Sequence, residues 1–208
     1  MKVHSDIIQG SEDWFALRLG KVTGSIAHTV QAKGRGGGKS LTRADEMFEL
    51  ALEIIHNRPR PAGYKSADMI HGTETEPFAR SHYEIMEGVT VKEVGFITLG
   101  DDVGCSPDGL IGDDGLIEIK CPKNRVQFDR FSAGVFPKEY KAQVQFLLWA
   151  TGRQWCDFVS FAPDMLSMKY FKIRVYRDPE YINTLEIAVE KFVQELKILV
   201  ETIGQSPF

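Results

Sequence analysis

The sequence predicts an α/β fold in which a mixed central sheet is flanked by helices on both faces. Three observations carry that expectation. Apolar residues recur at helical spacing in the first ninety residues. Strand-like runs cluster between residues 91 and 120 and again from 156 to 176. A helical run separates the two strand clusters and another follows them, an order that builds a layered α/β sheet rather than a bundle or an all-β barrel.

The elements follow in chain order. Residues 11–18 and 24–31 read as short helices. Leu41–Asn57 is the first long helix, with Thr42 as its cap and Asp45 three residues later. Met47, Leu50, Ala51, Ile54 and Ile55 form its apolar face. Thr73–Glu87 is the second, with Thr73 and Glu76 spaced as a capping box. Val91–Leu99, Gly104–Ser106 and Leu116–Lys120 read as strands, and Asp113-Asp114-Gly115 is a hairpin turn between the last two. Lys138–Thr151 returns to helical spacing. Cys156–Ala162 and Met168–Tyr176 are two further strands. Asp178-Pro179 opens a final helix to about Ile203, with proline in the first turn, where no N–H is needed. The strands lie mostly mid-chain, so a single domain is expected over 1–208: a basic helical part over 1–65 and the core over 66–208.

Composition narrows the classes. Hydrophobic residues make up 43% and charged residues 26% of the chain, enough to bury a sizeable core and too apolar for disorder to dominate. No apolar run approaches the roughly 18 residues of a spanning helix, so no membrane partner is expected. The first residues lack the apolar core of a secretion signal, which predicts an intracellular protein. Cys105, Cys121 and Cys156 are too few and too scattered for a disulfide framework or a zinc knuckle. The net charge of −4 hides an asymmetry: residues 1–65 carry 10 Lys+Arg against 7 Asp+Glu, and residues 66–208 carry 15 against 22. Between Asp13 and Asp45 there is no acid, only Arg18, Lys21, Lys33, Arg35, Lys39 and Arg43 among charged residues. That stretch is either a phosphate-contacting surface or a solvated basic loop. Within it KGRGGGKS is not a nucleotide-binding loop, because Lys33 stands where the pattern requires the first glycine.

The segment SPDGLIGDDGLIEIK, residues 106–120, carries the chemistry. Glu118 lies ten residues after Asp108, and Lys120 two beyond it. The period of a strand puts Glu118 and Lys120 on one face with Leu116, and Ile117 and Ile119 on the other, buried face. A hairpin brings Asp108 towards Glu118. Two carboxylates and a lysine suit Mg²⁺-assisted phosphodiester hydrolysis: hard oxygens hold the ion, the ion activates water, and the lysine orients that water or assists its deprotonation. On these residues alone, a hairpin with a surface ion pair is the equal alternative.

Four blocks in order resemble the lambda exonuclease family, the YqaJ-like viral recombinase nucleases of the PD-(D/E)xK superfamily. They are GSEDWFALRLGKVTGS (10–25), HGTETEPFARSHYE (71–84), SPDGLIGDDGLIEIKCP (106–122) and YKAQVQFLLWATGRQWCDFVSF (140–161). The resemblance spans nearly the whole chain and implies a restriction-endonuclease-like core. It implies that Asp108 and Glu118 are metal ligands, that the Ile119 carbonyl faces the metal, and that Lys120 is the catalytic lysine. It matches Glu76 to a helical glutamate of the site, with Glu74 as the neighbouring alternative. The family also carries an acid shortly before SPDG; Asp101 and Asp102 are the candidates, at a spacing that departs from the family's. Arg18, Ser25 and Ser106 match its 5′-phosphate contacts, and Tyr140 and Gln143, one helical turn apart in the fourth block, join them as implied 5′-phosphate-binding residues.

The resemblance implies a Mg²⁺-dependent 5′–3′ exonuclease, with Mn²⁺ as substitute and one or two ions per site. Its substrate is double-stranded DNA with a 5′-phosphorylated end, and its products are mononucleotides and a 3′ overhang. A single-strand annealing protein as partner, a homotrimeric ring and the cytoplasm of a bacterial or phage-infected cell follow from the same likeness. Two other readings remain at this stage: a structure- or sequence-specific endonuclease on the same fold, and a non-catalytic DNA-binding recombination scaffold.

Overall fold

The computed structural model describes residues 1–38, 40–60 and 66–205. Lys39 of the basic stretch lies outside the described residues. The chain opens with strand β1 (Lys2–His4), helix α1 (Glu12–Arg18), strand β2 (Val22–Thr23) and helix α2 (Ala27–Val30). The two long helices α3 (Leu41–His56) and α4 (Ala67–Glu87) follow. Five strands then run from β3 (Val91–Lys92) and β4 (Phe96–Leu99) through β5 (Val103–Cys105), β6 (Gly109–Ile111) and β7 (Gly115–Lys120). The remainder is α5 (Asn124–Ala133), α6 (Lys141–Thr151), β8 (Trp155–Phe161), β9 (Tyr170–Tyr176) and α7 (Pro179–Gly204). The expected α/β class is present, with mixed sheets flanked by helices. Among the described residues no helix is long and apolar enough to cross a membrane.

The strands form two sheets rather than one, in the orders β1-β4-β5-β2 and β3-β6-β7-β8-β9. The single strand expected over Val91–Leu99 is therefore two strands belonging to different sheets. The chain switches sheets at Gly95, where a Cβ would fall 1.9 Å from the Ile7 carbonyl oxygen; only glycine permits that approach. The first residues are woven into the same layer, since β1 pairs with β4 and β2 lies parallel to β5.

Strand β7 is the centre of the larger sheet, antiparallel to β6 and parallel to β8. Both of its faces are covered. Leu116 joins the main core with α3, α6 and α7, while Ile117 and Ile119 pack with Ala79 and Tyr83 of α4. Each such side chain contributes about 1.5–3 kcal/mol by leaving water. That burial fixes the register, because a one-residue slip would exchange the two faces.

Several boundaries differ from the sequence expectation, each for a local reason. Ser40, not Thr42, caps α3, accepting a bond from the Arg43 N–H at 3.3 Å. Helix α4 starts six residues before Thr73, capped by Ser66, so Thr73 and Glu76 are not a capping box; Thr73 instead donates to the Met69 carbonyl inside the helix. The hairpin turn is shifted: Ile111 pairs with Gly115, which belongs to β7, and the positive φ of 50° falls on Gly112. Strand β6 and helix α5 were not expected at all. The first is three residues long, and the second is mostly polar, with Gln127 and Arg130 as its buried residues, so neither gives a periodic signal.

Candidate active site

Asp108 stands one residue before β6, in Pro107-Asp108-Gly109. A Cβ on Gly109 would lie 2.1 Å from Val91, so glycine lets β6 press against β3 and sets Asp108 at the mouth of the hairpin. Beyond Ile117 the register with β6 ends, leaving the edge of residues 118–120 free on that side. Asp108 fills this edge: its Oδ2 accepts the Ile119 N–H at 2.6 Å. Because N–H and C=O of one extended residue leave the same edge, the Ile119 carbonyl emerges beside Asp108.

Glu118 is 1% exposed. Its Oε1 accepts from Lys120 Nζ at 2.5 Å and from Gln143 Nε2 of α6 at 2.6 Å. Its Oε2 is buried without a hydrogen-bond partner among the described residues. Glu76 approaches from α4, on the other face of the sheet. Its Oε1 accepts from Arg80 Nη2 at 2.6 Å, and Arg80 Nε donates to the Asp108 carbonyl at 3.2 Å. Glu74 is exposed.

The electrostatics record how closely these acids sit. Burial and the charges of Glu118 and Glu76 push the Asp108 carboxyl well above its usual range. Burial, with the charges of Glu118 and Glu93, also raises Glu76, although Arg80 opposes the shift. For Lys120, burial favours the neutral amine, but Glu118 and Asp108 outweigh it and hold the group as an ammonium. The Cys121 thiol next to them is pushed up to about 12, chiefly by burial, which makes it a poor nucleophile.

The expected phosphate residues divide. Arg18 and Ser25 line one cavity of about 330 Å³, together with Trp14, Lys21 and Arg60. Arg60 is taken up by Glu46 and Glu53, at 2.7 and 2.6 Å, and Lys21 donates to the Asp101 carbonyl. Arg18 lies 4.3 Å over the Trp14 ring, and among the described residues its guanidinium makes one hydrogen bond, a long one of 3.4 Å to Thr23. Ser25 is exposed, 3.1 Å from the Thr23 hydroxyl. A Cβ on Gly24, between Thr23 and Ser25, would lie 3.5–3.7 Å from Gln143, Phe146 and Leu147 of α6, so this turn lies against the helix whose Gln143 reaches Glu118. Ser106 sits differently. Its hydroxyl donates to the Gly95 carbonyl at 2.9 Å and accepts from Trp14 Nε1 at 2.8 Å. A hydroxyl has one proton to give, so as placed Ser106 fixes Trp14 beneath Arg18.

Tyr140 faces Lys120 from the side, with Nζ 5.3 Å from the ring centre, and accepts from Arg130 Nη2 at 2.6 Å. Asp102 is bound to Lys197 of α7 at 2.7 Å, and Asp101 is exposed at the β4–β5 turn. Sequence reasoning missed Arg80, Glu93 and Arg130. Arg80, four residues after Glu76 on a helix, carried the one available signal. Arg43, in the acid-free stretch, binds Glu195 of α7 at 2.6 Å and so serves the fold.

A divalent cation fits these residues. The donors are hard carboxylate oxygens, one of them buried and unpartnered, which suits Mg²⁺ or Mn²⁺. No three His, Cys, Asp or Glu side chains among the described residues are already gathered into a finished cage; Glu76 leans on Arg80 instead.

A family model described as the YqaJ-like viral recombinase domain matches residues 13–154. The chain is similar to the alkaline exonuclease LHK-Exo from Laribacter hongkongensis, with 40% identity over 94% of this chain and 97% of that one, and a TM-score of 0.85. The structure of LHK-Exo in complex with dAMP gives the same values. A phage-related exonuclease from Haemophilus somnus 129PT shares the fold at a TM-score of 0.66 and 18% identity, over 88% of this chain and 96% of that one. No curated protein gives a significant match.

Proposed function

The chain belongs to the YqaJ-like viral recombinase family, and from that premise we propose that it is a Mg²⁺-dependent 5′–3′ exonuclease. It digests one strand of linear double-stranded DNA from a 5′-phosphorylated end, releasing mononucleotides and leaving a 3′ overhang for recombination by strand annealing. The observation that carries the reading is the buried Oε2 of Glu118, without a partner among the described residues, on a carboxylate whose Oε1 is held by Lys120 and Gln143 and whose charge acts on Asp108. A bare carboxylate oxygen is costly to bury and a cation offsets that cost. The alkaline exonuclease at 40% identity supports a nuclease, and its complex with dAMP supports a mononucleotide product.

Asp108, Glu118, the Ile119 carbonyl and Glu76 would hold one or two Mg²⁺ ions, with Mn²⁺ as a substitute. When bound, the metal supplies an acidified water and stabilises charge on the phosphate oxygens. Lys120, as an ammonium, orients the attacking water and faces the developing charge. Gln143 fixes the Glu118 carboxylate. Arg18 and Ser25 capture the 5′ phosphate, guanidinium and hydroxyl donors being suited to a phosphate dianion, and set the cut one nucleotide inward. Ser106 and Trp14 support Arg18 from below, and Tyr140 flanks Lys120. The enzyme works as a homotrimeric ring in the cytoplasm of a bacterial or phage-infected cell, with a single-strand annealing protein as partner.

The test is digestion of duplex DNA with 5′-phosphate ends, with 5′-hydroxyl ends, and as a covalently closed circle, each with and without Mg²⁺. Mg²⁺-dependent loss of the phosphorylated linear duplex is expected. Cutting of the closed circle would assign an endonuclease, and no Mg²⁺-dependent loss would leave a non-catalytic scaffold. Light scattering should give about three times the chain mass of 23.4 kDa; a monomer refutes the ring.

A further inference from the structure

Every edge of the Arg80 guanidinium is in use. Nη2 donates to Glu76 Oε1 at 2.6 Å, Nε to the Asp108 carbonyl at 3.2 Å, and Nη1 lies 2.8 Å from Glu93 Oε2. The side chain is 12% exposed, although it starts on a helix at the sheet's outer face. Its three partners come from three different segments: α4, the loop before β6, and the loop after β3. Two of them belong to residues placed in the metal site, and Glu93 does not. The planar fork suits this geometry, because five N–H groups held in one plane fix direction as well as charge, which a lysine ammonium does not.

We propose that Arg80 is a positioning residue that brackets Glu76 against Asp108, so that a carboxylate from one face of the sheet meets the hairpin carboxylates at its edge. The inference rests on the metal-site reading above. The physical need for such a bracket is plain. Glu76, Glu93, Asp108 and Glu118 repel one another, and the Glu76 side chain is 32% exposed, so without Arg80 it is free to turn to water. The bond to Arg80 uses only Oε1 of Glu76, so Arg80 holds the carboxylate by one oxygen and the other remains for a cation. The bond to the Asp108 main chain ties that carboxylate's position to the residue whose side chain completes the site. Groups that orient ligands in this way typically account for about 10- to 100-fold in metal affinity.

The experiment is Mn²⁺ binding to the DNA-free protein, read by the electron paramagnetic resonance of free Mn²⁺, for wild type, Arg80→Ala, Arg80→Lys and Glu118→Gln. Arg80→Ala should weaken binding by about 10- to 100-fold. Arg80→Lys should fail to restore it, because charge alone does not make the bracket. In digestion assays both variants should need proportionally more Mg²⁺ while the KM for DNA is unchanged. If Arg80→Ala does not fold, Arg80→Lys carries the test with its charge and stem intact. Wild-type Mn²⁺ affinity in a folded Arg80 variant, with binding lost in Glu118→Gln, overturns the role given to Arg80. Wild-type affinity in Glu118→Gln overturns the metal-site reading itself.

Discussion

Two carboxylates are buried on neighbouring strands and are treated in opposite ways. Asp157 of β8 is paired in register with Ile117, one residue from Glu118 on β7. Asp157 is fully buried, and every oxygen is bonded: Arg174 Nε and Nη2 reach Oδ1 and Oδ2 at 2.7 and 2.8 Å, and the Tyr83 hydroxyl reaches Oδ2 at 2.7 Å. Burial works to raise its pKa, but those bonds and the charges of Arg174 and Lys172 hold it below the ordinary value. Glu118 has a bare buried oxygen, and burial together with the Glu118 charge pushes its neighbour Asp108 well above the usual range. The difference separates a carboxylate that the fold has neutralised for its own stability from a pair of carboxylates that, in the proposed function, a cation would neutralise. Clustered, under-satisfied acids of the second kind mark functional sites.

The comparison breaks most readily on activity. Glu118→Gln and Lys120→Ala should each lower digestion of linear duplex on the order of 10²–10⁴-fold; near-wild-type turnover in either purified variant removes the site. On stability the same carboxylate-to-amide change should cost more at Asp157. Asp157→Asn should cost about 2–3 kcal/mol in urea unfolding, because it strands Arg174 and Tyr83. Glu118→Gln should cost less in the metal-free protein, because relief of the repulsion with Asp108 offsets the lost ion pair to Lys120. Equal costs would mean that the two carboxylates are alike.

A smaller effect lies at the phosphate cavity. Arg18→Ala should reduce digestion of 5′-phosphorylated ends about tenfold more than that of 5′-hydroxyl ends, as expected for one charged hydrogen bond. An equal loss on both end types would show that Arg18 supports the fold rather than the substrate. The smallest effect is on pH dependence. The folded-state pKa of Asp157 is depressed, so its contribution to stability is complete above the unfolded value near 3.8 and is lost as pH falls through the lower folded value. Acid titration of stability should therefore be shallower below about pH 4 in Asp157→Asn than in wild type. Parallel curves would remove Asp157 from the acid limb.

Much of the active hairpin is legible in the sequence because it is local. Asp108, Glu118 and Lys120 span thirteen residues, and the strand period alone assigns Glu118 and Lys120 to one face, as found. Gly109 and the Asp-Asp-Gly run mark the hairpin even though its positive φ falls on Gly112. Resemblance added Arg18, Ser25 and Gln143; the fold puts the first two in one cavity and aims the third at Glu118. The hydrogen bonds of Ser106 were not legible, because their partners Trp14 and Gly95 are ninety-two and eleven residues away.

By itself the sequence determined the α/β class, the register logic of β7 and the chemical types at the hairpin, since each depends on spacing within one element or one turn. Tertiary structure alone decided which acids are satisfied. Tyr83, Asp157 and Arg174 come from three elements, as do Arg80's partners, and no periodicity relates them. A carboxylate's state is set by the donors that reach it across the fold, and that long-range count separates Asp157 from Glu118 although they lie on adjacent strands.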